Sequence, residues 1–271
     1  MSKLLYPQHP QALSPGVTLL QEITKTNAPL AYIELKLIEL TAGGSYQETL
    51  TEFECCAVIL TGKATLTSGD QQFTDIGTRE SVFDKVPTDS VYLPRESQFT
   101  VTSQTKAKVI LCYSPTTVTK ELTFIPAKDN TTEARGILNN QRLVHNILPD
   151  SSTIADRLLV VEVYTEGGNF SSYPPHKHDQ DNLPEESLLE ETYYHEINPP
   201  QGFVFQRVYT DDRSLDETMS VENGSVVAVP KGYHPVGVPD GYTSYYLNIM
   251  AGPVRKWQFH NDPDHEWILN R

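Results

Sequence analysis

The densest group of potential ligands in this 271-residue chain is Pro174-Pro175-His176-Lys177-His178-Asp179. Residues two apart on an extended strand point to the same face, so His176 and His178 can present two imidazoles to one ion while Lys177 turns away. Further on, Glu190-Glu191-Thr192-Tyr193-Tyr194-His195 offers two carboxylates on an expected strand, and the segment from Gly224 ends in a third imidazole, His234, after a strand and a turn. Three histidines and one glutamate can hold a divalent transition metal and leave positions open for water or substrate. The expected cofactor is one such metal per chain; zinc, manganese, iron and nickel all accept these ligands, with zinc, manganese or iron preferred. Alternation puts Glu191 with Tyr193 and His195 on one face and Glu190 with Thr192 and Tyr194 on the other, so only one carboxylate reaches the ion. Glu191 is the expected ligand and Glu190 the alternative. The remaining histidines read as packing or solvated residues, with His145 at a junction and His9, His260 and His265 near the ends.

Positioning such a set is work for strands. Short segments rich in Val, Ile, Leu, Tyr and Thr recur between prolines and glycines, among them Tyr32 to Leu40, Cys56 to Leu60, Arg157 to Tyr164, Gly202 to Tyr209 and Ser244 to Met250. This vocabulary predicts an all-β chain with a sandwich or barrel architecture. One short helix is expected over Thr132 to Asn140. The chain also repeats itself. Leu40-Thr41-Ala42-Gly43-Gly44-Ser45-Tyr46 matches Tyr164-Thr165-Glu166-Gly167-Gly168-Asn169-Phe170 at an offset of 124, and Val91-Tyr92-Leu93-Pro94-Arg95 matches Val227-Ala228-Val229-Pro230-Lys231 at 136. Two β modules follow, residues 1–130 and 131–271, with the acidic stretch Gln180 to Glu190 inserted in the second. That stretch reads as a solvated lid, since it lacks the regular oxygen pattern and glycine of a calcium loop.

The order of glycine turn, His-X-His, Glu and Gly-(five residues)-Pro-X-Gly with a nearby His resembles the two motifs of the cupin superfamily, and with the repeat it resembles a bicupin, two tandem double-stranded β-barrel, jelly-roll-like modules. Two departures stand out: Glu191 follows His178 after a longer interval than the usual pattern, and the last His comes one residue early. Ser171 to Asp179, Glu191 to His195, Val229 to Pro235 and Tyr245 to Gly252 together resemble the 5-deoxy-glucuronate isomerase family of bacterial inositol catabolism, and Ser81-Val82-Phe83-Asp84 and Tyr92-Leu93-Pro94 extend the likeness to the first half. The uronate ketol-isomerases of pectin breakdown share the Pro-Pro-His-X-His-Asp element. The resemblance implies conversion of an aldehyde sugar acid into a ketone by proton transfer through an enediol. A chelated metal suits this by acidifying the intervening C–H. Glu190, Tyr193, His195 and Tyr246 are candidate proton-transfer groups, and Arg207, with Lys231 and Arg142 as alternatives, is the candidate partner of the substrate carboxylate. A metal-dependent cupin dioxygenase and a non-enzymatic carbohydrate-binding or storage bicupin are the competing readings.

The first module has no matching histidines, and Gln98 stands where the offset places His234. Its metal site is expected to be lost. An oxygen site from Glu48, Glu52 and Glu54 is the lesser alternative to a structural, dimer-forming role. With 35 acidic against 21 basic residues and a formal charge of −14, nucleic acid and anionic lipid are not expected partners. No stretch offers the ~20 apolar residues of a membrane helix, and MSKLLYPQHP lacks the apolar core of a signal peptide. A cytoplasmic homo-oligomer is expected, its 14 tyrosines suiting extended contacts. Cys55 and Cys56 are neighbours and Cys112 stands alone, a pattern of buried thiols rather than of disulfides.

Overall fold

The computed structural model describes residues 2–271, which form four main β-sheets and a few short 3-10 turns. In the first half, a seven-stranded sheet runs Thr123–Ile125, Ser90–Leu93, Phe53–Thr61, Ala107–Pro115, Glu34–Leu40, Val17–Ile23, Gln11–Ser14, and faces a four-stranded sheet from Ser45–Thr49 to Gln71–Ile76. The second half repeats the plan. Its seven strands run Leu5–Tyr6, Val226–Val229, Glu190–Asn198, Thr243–Ala251, Leu159–Glu166, Arg142–Leu148, Thr131–Arg135, opposite four strands that include Phe203–Tyr209. The N-terminal pair Leu5–Tyr6 thus adds to the second half's sheet, opposite Val226–Val227.

Alternation along these strands produces three apolar cores. Two lie between the sheets of each half, one containing Ile59, Leu66, Val91 and Val109, the other Val161, Val204, Val221 and Tyr246. The third lies between the two halves, where Leu35, Val58, Ile110 and Tyr92 of one large sheet meet Val160, Tyr194, Leu247 and Ile249 of the other. The large sheets are therefore buried on both faces. Their central strands accordingly read as near-continuous apolar runs rather than as clean alternation. Cys55, Cys56 and Cys112 are buried and free in these layers.

The expected helix over Thr132 to Asn140 is instead the edge strand Thr131–Arg135 followed by a 3-10 turn, Leu138–Asn140. Gly136 is the cause. It has φ +83, and a Cβ there would lie 1.8 Å from the Asn140 carbonyl oxygen, so the backbone doubles back where a helix would continue.

Charged groups cross the middle core in matched pairs. Glu54 accepts hydrogen bonds from the backbone N–H groups of Asp156, Arg157 and Leu158 at 2.7–2.8 Å and from the Tyr92 hydroxyl. Glu190 accepts from Ala31 and Tyr32 N–H at 2.7–2.8 Å. Glu54 and Glu190 are related by the same offset of 136 as the second repeat, and each fixes the segment entering a central strand of the other half. Bonds to a charged acceptor contribute ~1.5–3 kcal/mol each, which makes these clamps substantial.

A third link joins Arg79 to Glu162, both buried, with Tyr245 donating to Glu162 at 2.7 Å and Arg79 to the Tyr164 hydroxyl at 2.8 Å. His145 packs against Tyr164 beside them, the two rings tilted by 59° with centroids 5.2 Å apart. Burial alone would raise the Glu162 pKa, but the Arg79 charge and these hydrogen bonds hold it at about 2 instead of 4.5. The ionised carboxylate thus contributes stability above pH 4.5, on the order of 3 kcal/mol, that is lost as the pH falls toward 2. Denaturant midpoints measured from pH 7 to 2 should show this acid limb in the parent chain. It should flatten in Arg79→Met/Glu162→Leu, which replaces the pair by apolar groups of similar volume.

Candidate metal centre

His176 lies on a two-residue strand, His176–Lys177, which is held in place by the late strand His260–Asn261, with Asn261 opposite His176. Beyond His178, residues Asp179–Asn182 and Glu186–Leu188 form a hairpin, so the acidic insertion loops out and returns. Leu189 N–H then donates to the His178 carbonyl at 2.8 Å. This return explains the long interval in the sequence, because it places Glu191 beside His178 despite the insertion. The hairpin is less solvated than the sequence suggests: Glu186 turns inward and, with Asp179, pairs with buried Lys177 at 2.9–3.1 Å.

His234 is set by a turn that requires glycine. Gly232 has φ +92 and a Cβ there would meet the Tyr209 carbonyl at 2.5 Å. The Gly232 carbonyl lies 2.7 Å from His234 Nδ1, and the Leu189 carbonyl lies 3.0 Å from His178 Nδ1. Each carbonyl accepts the Nδ1–H and leaves Nε2 as a lone pair facing inward, the arrangement that metal-binding imidazoles use. Gly232 N–H in turn donates to Asp179 Oδ2 at 2.8 Å, so the Lys177–Asp179 pair braces the His234 turn.

The three imidazoles converge, with one ring nitrogen from each of His176, His178 and His234 all within 4.8 Å of one another. Glu191 Oε2 lies 3.1 Å from Nε2 of both His178 and His234. His234 Nε2 is buried without hydrogen-bond geometry to any partner, an orphaned acceptor at the centre of the group. Burial alone would raise the Glu191 pKa, but His234 and His178 hold it well below the usual carboxylate range. Burial, then the neighbouring His234 and His178, keeps His176 neutral. Three imidazole nitrogens and an ionised carboxylate fit a divalent transition metal, and this set is the one expected from the sequence.

Beside the ligands opens a cavity of about 440 Å³ whose wall includes His176, Glu191, Tyr246, Asn248, Ser172, Arg142 and the valines 144, 161 and 163. Of the four candidate proton-transfer residues, only Tyr246 lines it, its hydroxyl hydrogen-bonded to Ser171 Oγ. Tyr193 packs between Tyr246 and His234, with ring centroids at 4.9 and 5.8 Å. His195 lies one step further along the strand, stacked on Tyr193 and 3.1 Å from Gln206 Oε1; burial lowers its pKa to about 4. Glu190 is excluded from the site, both as ligand and as base, because alternation sends it to the middle core.

The carboxylate partner also moves. Arg207 makes a two-point contact with Asp216 at 2.7 and 2.8 Å on the outer face of its strand, while Val204, Gln206 and Val208 point inward. Lys231 is exposed on the Gly232 turn and does not line the cavity. Arg142 does. Trp257, Phe259 and Asn261 of the late segment also line the cavity, although no motif in the sequence marks them.

In the first half, Cys55 pairs with Leu93 as Glu191 pairs with Val229, so a thiol occupies the ligand position. Glu48 is committed to Lys36, Tyr46 and Tyr113 at 2.6–2.7 Å, Glu52 is exposed, and Glu54 is the clamp described above. An oxygen site from these three acids is thereby overturned.

Paired sheets in both halves and a ligand group between the sheets of the second define an all-β bicupin architecture. The chain belongs to the KduI/IolB family, whose profile matches residues 5–268. It is 65% identical over 271 residues to 5-deoxy-glucuronate isomerase of Bacillus licheniformis and 64% identical over 272 residues to that of Listeria innocua, with both chains fully covered in each case. The crystal structure of an IolB-like protein from Salmonella typhimurium superposes with a TM-score of 0.94 at 47% identity, covering 99% of this chain and 100% of that one. An oxalate decarboxylase from Lactobacillus farciminis shares the fold at TM-score 0.70 and 13% identity, covering 96% and 89%. No helix among the described residues is long and apolar enough to cross a membrane.

Metal analysis after dialysis should find stoichiometric divalent metal in the parent chain and a sharp loss in His176→Ala/His234→Ala. Asp179→Asn, which weakens the brace behind His234, should lower metal affinity ~10-fold or more in a competition titration against a chelator.

Proposed function

We propose that this chain converts 5-deoxy-glucuronate into 5-dehydro-2-deoxy-gluconate, as in inositol breakdown, with a divalent transition metal held by His176, His178, Glu191 and His234. The observation that carries this reading is the convergence of these four side chains, two of which, His176 and Glu191, line a cavity of about 440 Å³, in a chain whose relatives bear that enzyme's name. A metal bound there supplies Lewis-acid polarisation of the substrate's carbonyl and adjacent hydroxyl. The protein's own groups orient the sugar acid while one proton leaves C2 and one is added at C1. Tyr246 is the residue we assign to delivering the proton at C1; the proton released at C2 passes to water, and water returns a proton to the Tyr246 phenolate. Burial raises its pKa and so keeps it protonated at neutral pH, which suits delivery of a proton rather than its removal. Ser171 fixes the phenol's direction from behind. The division of labour also follows: residues 131–271 carry the chemistry, and residues 1–130 supply the Glu54 clamp and one wall of the middle core.

The test is an NMR assay with 5-deoxy-glucuronate in heavy water. Deuterium should enter the product's terminal hydroxymethyl carbon to the extent that the transferring group exchanges with solvent. Tyr246→Phe should lower kcat ~10²-fold or more, with metal content unchanged. Deuterium at that carbon would exclude a hydride shift, and oxygen uptake in place of isomerisation would move the chain to the oxygenases.

A further inference from the structure

The cavity floor is a cross-section of four neighbouring strands, and its polarity changes in steps. Glu190–Asn198 contributes Glu191. Next comes Thr243–Ala251, with Asn248 opposite Tyr193 and Tyr246 opposite His195; then Leu159–Glu166, with Val161 opposite Asn248 and Val163 opposite Tyr246; then Arg142–Leu148, with Val144 opposite Val163. Arg142 stands two residues before Val144 on the same strand and therefore on the same face. From the ligand group outward the floor thus reads metal-ligating, hydroxyl and amide, apolar, cationic.

Arg142 is half-buried and, among the described residues, has no carboxylate within ion-pair distance; one hydrogen bond, to the Asn140 carbonyl at 3.1 Å, is its protein partner. Its neighbour across the register, Arg135, is by contrast held by Glu133 at 2.8 Å and lies over Trp257. A guanidinium withdrawn from water without a counter-charge is costly unless a ligand supplies the anion.

We infer that Arg142 binds the substrate carboxylate and that Val144, Val161 and Val163 select for the unsubstituted methylene beside it. The inference rests on the functional reading above and names the determinants of its specificity. 5-Deoxy-glucuronate carries the same sequence of polarity as the floor: carbonyl and hydroxyl at C1 and C2, hydroxyls at C3 and C4, a bare CH₂ at C5, and a carboxylate at C6. With the carboxylate on Arg142, C5 lies over the valines. Glucuronate differs by one hydroxyl at C5, which would be buried there without a partner, a mismatch worth ~10–100-fold in kcat/KM. Arg142 is a positioning and specificity residue, remote from the reacting carbons.

The experiment crosses enzyme variants with substrate variants, reading kcat/KM alongside metal content. The substrates are 5-deoxy-glucuronate, its C6 hydroxymethyl counterpart 5-deoxy-glucose, and glucuronate. The parent chain should prefer the acid over the alcohol by ~30-fold or more. Arg142→Gln should raise KM for the acid and remove most of that preference while retaining metal, and Arg142→Lys should recover it only in part, since one ammonium replaces a planar fork. Val144→Thr should narrow the preference for 5-deoxy-glucuronate over glucuronate. A parent chain that leaves 5-deoxy-glucuronate unchanged overturns the functional reading and this inference with it. A parent chain that converts it, with an Arg142→Gln variant that still distinguishes acid from alcohol, overturns the Arg142 assignment alone; an unchanged glucuronate ratio in Val144→Thr overturns the valine assignment alone.

Discussion

Everything in this molecule turns on the fact that adjacent residues of a strand face opposite ways, and that at Glu190 and Glu191 both faces are buried. Two neighbouring carboxylates in a double-sided core would be a heavy desolvation cost if either lacked partners. Here one is satisfied by the backbone amides of residues 31 and 32 and the other by imidazoles. The site and the junction between the halves are therefore two sides of one strand.

The same arrangement shows what happens when the chemistry is removed and the junction kept. Glu54 retains the role of Glu190, fixing the other half, while its neighbour on the strand is Cys55 instead of a second glutamate. The open side of the first half is then filled by the Lys36–Glu48 pair and two tyrosines, which hydrogen-bond to one another through Glu48. Loss of a ligand set and retention of a clamp are separable because they lie on opposite faces.

The ligands were legible in the sequence because their geometry is local. His176 and His178 are two apart, His234 follows a glycine turn, and alternation separates Glu191, which lies beside the imidazoles, from Glu190, which faces away. The all-β class and the internal repeat were legible for the same reason, since turns and short apolar runs recur at matching places. What required the structure was every choice that depends on which face of a strand points where. Phe203, Phe205 and Arg207 do share a face, as the sequence indicates, but it is the outer one, and Asp216 on the adjoining strand takes the arginine. Arg142 carries no local mark, because its meaning comes from three strands beside it that are distant in sequence. The strand at Thr131–Arg135 was hidden by a single glycine conformation, and the contribution of Trp257 and Phe259 by the lack of any pattern in that segment.

The chain closes upon itself at both ends of the second sheet pair. Leu5 and Tyr6 hydrogen-bond to the strand that precedes the His234 turn, and His260–Asn261 supports the strand that bears His176. Leu5–Tyr6 thus pairs with residues of the opposite half of the sequence, and the two-residue histidine strand finds its ladder partner far along the chain at His260–Asn261. Contacts of such long range are slow to form. The candidate ligand group therefore depends on pairings between segments that are far apart in the sequence.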